Sequence, residues 1–173
     1  MDKIIPDPGF AGDSGASDAA LLALLAAHRD GSADSAAVLA ALASTRLLVP
    51  VVAVLGEVEY DEFGRAHEKT SDMAAVLVEG ADGRRALLAF TGMDTMKAWN
   101  PQARPVPVPA RTAAVSALQD GAEALLINIA GPARYVLQGE DLTAFASGWV
   151  LARAGDRTVW IGSAAPAEQG SGE

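Results

Sequence analysis

The chain predicts an α/β (α+β) fold in one domain, and three observations predict it. Alanine-rich helical stretches alternate with leucine- and valine-rich runs through the second half. An Asp-Gly turn sits between two apolar runs near the middle, and two capped helical segments precede them. The architecture expected is a mixed sheet of about five strands with a central hairpin, flanked by helices. A length of 173 residues suits one domain, since roughly 100–200 residues per domain is usual. The Gly-, Pro- and Ser-rich ends divide it into a flexible arm over 1–17, a folded domain over 18–162 and a flexible tail over 163–173.

Asp18 is placed to cap a helix over 19–29, with Leu21, Leu22, Leu24 and Leu25 on its apolar face and Gly31 as its stop. Asp34 or Ser35 caps a second helix that runs to Ser44. Leu47 to Leu55 is a β-branched, nearly continuous apolar run. It reads as a strand buried on both faces, with Pro50 at an edge or bulge. Residues 57–72 read as a charged loop around Gly64. Met73–Glu79 and Arg85–Thr91 flank Gly80-Ala81-Asp82-Gly83 and predict the hairpin. A short helix to Trp99 follows, with Asp94 as its cap. Arg104–Pro109 alternates proline with valine, so it is an edge strand or an extended connector, because proline has no ladder donor. Residues 110–120 predict a helix with Ala114, Val115 and Leu118 inward. Glu123–Ile129 and Tyr135–Leu137 predict strands, Glu140 opens a helix running to Leu151, and Thr158–Ile161 predicts a last strand.

Composition excludes several functions. Without cysteine there is no disulfide scaffold, no thiolate zinc site and no Cys nucleophile. A net charge of −9 opposes phosphate-backbone binding, and the basic side chains are scattered, so nucleic acid is not an expected partner. The acidity belongs to the first half: residues 1–79 hold 13 acidic and 5 basic side chains. Met1–Pro6 has no basic n-region. The apolar run Ala19–Ala27 is far shorter than the ~20 residues that span a bilayer, so a cytoplasmic location away from membranes is expected.

Nothing in the chain assembles an obvious catalytic set. Gly-x-Ser-x-Gly, Gly-x-Gly-x-x-Gly and the P-loop pattern are all missing. His28 falls at the end of a helix, where a polar residue satisfies the last carbonyls. His67 has Asp61, Glu62, Glu68 and Asp72 nearby in sequence. They form either a solvated loop or a metal-dependent or other enzymatic site, with no recognised ligand spacing. Asn128 interrupts an apolar strand, and a buried amide without partners costs roughly 1–3 kcal/mol. It either bonds the following turn or contacts a ligand at the strand's carboxyl end. Thr91 and Trp99 sit where they could share a rim with it. Thr91, Trp99 and Asn128 are therefore the candidate ligand- or partner-binding residues; no catalytic residue, cofactor or metal ligand is assigned.

Leu87–Pro101 (LLAFTGMDTMKAWNP) resembles the SseB family, in which a strand ending Phe-Thr-Ser leads into a helix ending near Trp-x-Pro. Ala40–Pro50 is similar to that family's helix followed by a Val-Pro strand, and Ala124–Gly131 to its Leu-x-Leu-Asn-Pro-Gly strand. Glu68–Ala74 resembles the actinobacterial branch. The resemblance spans residues 18–150 and departs at Ile129-Ala130, where the family has proline after the asparagine. It implies the fold but no catalytic residues, because the family has no established active site. The expected function is a non-enzymatic module that binds a protein or a small metabolite. A secretion-related role rests on a shared name only, and the chain lacks the heptads and membrane segment of a translocator.

Overall fold

Side-chain caps start the first two helices where the sequence places them. The Asp18 carboxylate accepts the Ala20 and Leu21 N–H groups at 2.8 and 3.2 Å, opening α1 (Ala19–Arg29). Asp34 accepts the Ala37 N–H at 2.9 Å, opening α2 (Ser35–Ala43). Each satisfies an amide that the helix itself leaves unpaired. The computed structural model describes residues 9–54, 58–60, 66–68 and 72–162, with side chains described outside 53–73.

Two sheets organise the core. The first has the order β5 (Leu77–Glu79), β6 (Arg85–Ala89), β8 (Ala124–Ile127), β9 (Tyr135–Gln138); β6 and β8 are parallel and the other neighbours antiparallel. The second is antiparallel, with β1 (Arg46–Val54) between β4 (Asp72–Ala75) and β7 (Arg104–Pro109). Val76 joins them. Its N–H goes to the Pro50 carbonyl, and its own carbonyl accepts the Leu88 N–H. Pro50 thus lies at this irregular junction, where a missing donor disrupts no regular ladder. The expected hairpin forms as β5–β6. The segment read as a charged loop differs: it contains a short antiparallel pair, β2 (Val58–Tyr60) and β3 (Ala66–Glu68).

Strand alternation sends successive side chains to opposite faces. Leu47, Val49, Leu87, Ala89, Leu125 and Ile127 face a helical layer made by α1, α2, α4 (Ala110–Gln119) and α5 (Gly139–Ala146). Leu48, Leu88 and Phe90 face the other way, against Met96 of α3 (Met93–Trp99). β7 is an edge, as its prolines require. Pro105, Pro107 and Pro109 share one parity and pair across from Pro50, Leu48 and Arg46, which leaves the Val106 and Val108 amides for β1.

Three local expectations are corrected. α4 turns Ala110, Ala113, Ala114 and Ala117 inward, while Leu118 is exposed. Small side chains let the helix approach β6 and β8 closely, which matters more here than the greater hydrophobicity of leucine. α5 stops at Ala146, not Leu151. Gly148, at φ 80°, reverses the chain into the hairpin of β10 (Val150–Ala154) and β11 (Arg157–Ile161). Finally, Asp94 lies in the first turn of α3 while Gly92 occupies the cap.

Candidate functional site

Thr91 and Asn128 meet at the carboxyl ends of the parallel strands. Asn128 adopts φ 54°, a left-handed conformation that asparagine tolerates. Its N–H continues the ladder to the Ala89 carbonyl (3.0 Å), and its Oδ1 accepts the Thr91 N–H (3.0 Å). The side chain so replaces the next strand carbonyl. Its Nδ2 donates to Thr91 Oγ1 (3.1 Å) and the Ala133 carbonyl (3.4 Å). Both residues are buried, and the amide is occupied on every side. Trp99 stands apart from this pair. It is half-buried and stacked on Phe90, centroids 5.5 Å apart, on the opposite face of the sheet.

The chain itself covers this end of the sheet. Residues 13–17 lie across it, although the sequence reads as a loose arm there. The Met93 N–H donates to the Gly15 carbonyl (2.7 Å), and the Ser17 hydroxyl meets Thr91 Oγ1 (3.2 Å) and donates to Asp94 (2.8 Å). The Arg46 guanidinium grips the Asp13 carboxylate with two nitrogens and also donates to the Ala16 and Thr91 carbonyls. The Arg46 bond, aided by the Gly15 N–H, holds the Asp13 carboxyl below the ordinary value of 3.8.

His28 remains at the end of α1. Its Nδ1 lies 3.0 Å from the Ala33 carbonyl and its ring meets Tyr135 edge-on. Burial pushes the Tyr135 hydroxyl up from 10.0, and the Asp141 charge adds to this. The alternative set of His67, Asp61, Glu62, Glu68 and Asp72 lies outside the described side chains. Among the described residues, no group of three or more His, Asp or Glu could hold a metal ion.

The larger opening is at the other end of β8. A cleft of about 780 Å³ lies between the end of α4, one side of α5 and the β10–β11 hairpin. Leu118, Ala122 and Leu142 contribute its apolar surface, Trp149 and Trp160 flank it, and Glu123 and Glu140 are its charged residues. The hairpin is positioned by specific contacts. Leu151 and Trp160 pack against the core, and the Trp160 indole N–H donates to Asp141 Oδ1 at 2.8 Å. Trp149 lies so close to Gly162 that a Cβ there would come within 2.7 Å of the indole. Two hydroxyls line the cleft, but Ser147 donates to the Thr143 carbonyl (2.8 Å) and Thr143 to the Gly139 carbonyl (3.4 Å). Both turn back onto their own helix. The arrangement therefore suits burial of an apolar group next to carboxylates.

A family model described as the SseB protein N-terminal domain matches residues 20–144. The chain belongs to the SseB N-terminal domain family. No curated protein and no solved structure matches it. The SseB match ends inside α5, so Leu118, Glu123 and Glu140 fall within the SseB domain and Trp149 and Trp160 beyond it. The sequence reading extends α5 through Trp149 and leaves Trp160 in a last strand with no site assigned to it. The available signal was Gly148, a helix stop directly before an aromatic residue. Among the described residues no helix is long and apolar enough to cross a membrane.

Proposed function

We propose that this SseB-domain chain is a non-enzymatic binding module that holds its ligand or partner in the cleft between α4, α5 and the C-terminal hairpin. The observation that carries this reading is the cleft itself. It has the size of a binding pocket, ~300–1,000 Å³ in general, an apolar lining and two flanking tryptophans, while its hydroxyls are engaged with backbone carbonyls. Thr91 and Asn128 serve this reading indirectly, by closing the opposite end of the sheet. Trp99 serves it by covering the second face. The actinobacterial assignment, which rests on Glu68–Ala74, and the cytoplasmic location, which rests on the uncharged apolar run being short, belong to the same proposal.

Affinity capture tests it. The wild-type chain and the exposed-site variants Leu118→Asn and Trp149→Ser are used as baits in a cell extract, each checked for native circular dichroism. The expected result is a polypeptide or metabolite retained by the wild type and lost with both variants. Equal retention by all three baits would sink the cleft. Turnover of a substrate that one substitution abolishes would sink the non-enzymatic reading.

A further inference from the structure

We infer that the cleft takes a basic amphipathic segment of a protein partner, an inference that rests on the binding-module reading above. Two features of the cleft select a polypeptide. It is open to one side, and its rim is apolar: Leu118 at the end of α4 and Trp149 at the start of the hairpin are 39% and 43% exposed. Val150 and Ile161 alternate with Leu151 and Trp160 and so lie on the outer side of the hairpin, away from the cleft. A small molecule held in the cleft would leave the exposed flanks of Leu118 and Trp149 in water, whereas a helix or strand with one apolar face would fill the cleft and cover them.

The charge around the cleft selects a basic segment. Glu123 and Glu140 are the charged residues lining it, both exposed, and neither lysine nor arginine lines it. Asp141 stands behind Trp160. The basic groups nearest these acids are engaged elsewhere. Arg84, whose charge feels Glu123, is bonded to Asp82 and Gln138; Arg85 donates to the Gly121 carbonyl, next to the cleft but outside its lining; and Arg111 donates to the Phe145 carbonyl with its guanidinium over the Phe145 ring. Indole faces also attract cations, so the two tryptophans and the two carboxylates favour the same guest. Charge disfavours the other occupants. Residues 163–173 of this chain carry Glu168 and Glu173 and no base, and a second copy brings a net charge of −9.

Three synthetic peptides test this. They share length, helix propensity and one leucine face, and carry lysine, glutamine or glutamate on the polar face. Binding is read by anisotropy of a labelled peptide and by tryptophan emission, at several salt concentrations. The lysine peptide is expected to bind best, more weakly as salt rises. Glu123→Gln with Glu140→Gln weakens it by about three- to tenfold at low salt, as two exposed ion pairs warrant. Leu118→Asn weakens it as well, while Asp30→Asn with Asp94→Asn, an equal loss of charge at the opposite end of the sheet, leaves it unchanged. Equal binding of all three peptides, lost in Leu118→Asn, would overturn the basic partner and leave the cleft standing as a binding site. Lysine-peptide binding indifferent to the cleft variants, or no binding by any peptide, would also overturn the inference.

Discussion

Asn128 shows how one side chain can do the work of backbone. β8 must end where the chain turns toward Ala133, yet the chain leaving β6 continues extended through Phe90 to Thr91, whose buried N–H needs an acceptor. The amide supplies it from a left-handed residue. Asn128→Ala strands that donor and sets at φ 54° a residue that tolerates the left-handed region less well than asparagine, so we expect a loss of about 2–4 kcal/mol. Asn128→Gly removes the amide but relaxes the backbone, and should recover roughly 1 kcal/mol of that loss. Urea midpoints at unchanged slope measure both. Asp13 makes a second prediction. Its carboxyl is held below 3.8 in the fold, so the ion is favoured in the folded chain. The Asp13–Arg46 contribution is therefore complete above that value and disappears as pH falls through the lowered one. The stability gap between wild type and Asp13→Asn, read by urea unfolding, should be fully present at pH about 6 and shrink as pH falls below 3.8. A gap that widened on acidification would contradict the assignment.

The helices and strands show where side-chain size overrides hydrophobicity. In α4 the residues Ala110, Ala113, Ala114 and Ala117 recur at helical spacing and are buried against the sheet, while Leu118 points into the cleft. A leucine at position 114 has no room there. Ala114→Leu should cost about 1–3 kcal/mol through overpacking. Leu118→Ala removes three carbons, yet it should cost less, about 0.5 kcal/mol, because its side chain lies exposed at the rim of the cleft. Thermal unfolding of the two variants makes the comparison, and a reversed order would mean that α4 is rotated. β7 obeys a different constraint. Its prolines present no donors along the free edge, so another strand cannot add there.

Taken as a whole, the molecule has two unlike ends. At the carboxyl ends of β6 and β8, the usual place for a ligand in sheets with parallel strands, residues 13–17 are bonded across Thr91 and Met93. At the amino end of β8 the chain leaves an apolar cleft whose outer wall is the hairpin. The bond from Trp160 to Asp141 ties that wall to α5. Asp141→Ala should free the indole, shift its emission to the red and lower stability by up to about 1 kcal/mol. Asp141→Asn keeps an acceptor at Oδ1 and should stay near wild type. If the two variants behave alike, the bond does not hold the hairpin.

The parts of the fold that depend on neighbours along the chain are legible in the amino-acid sequence. Asp18 and Asp34 cap helices, Asp82-Gly83 turns a hairpin, and alternating prolines make an edge, because each acts within a few residues. Thr91 and Asn128 were also legible as polar breaks in apolar runs. Their direct contact was not, since it joins residues far apart in sequence. The cleft was less visible still. Glu123, Glu140 and Trp160 share it through the parallel crossover and the return of the hairpin, and long-range packing of that kind leaves no local pattern. Local chemistry therefore specifies where this chain turns and caps, while the association of distant elements specifies which of its surfaces remains open to another molecule.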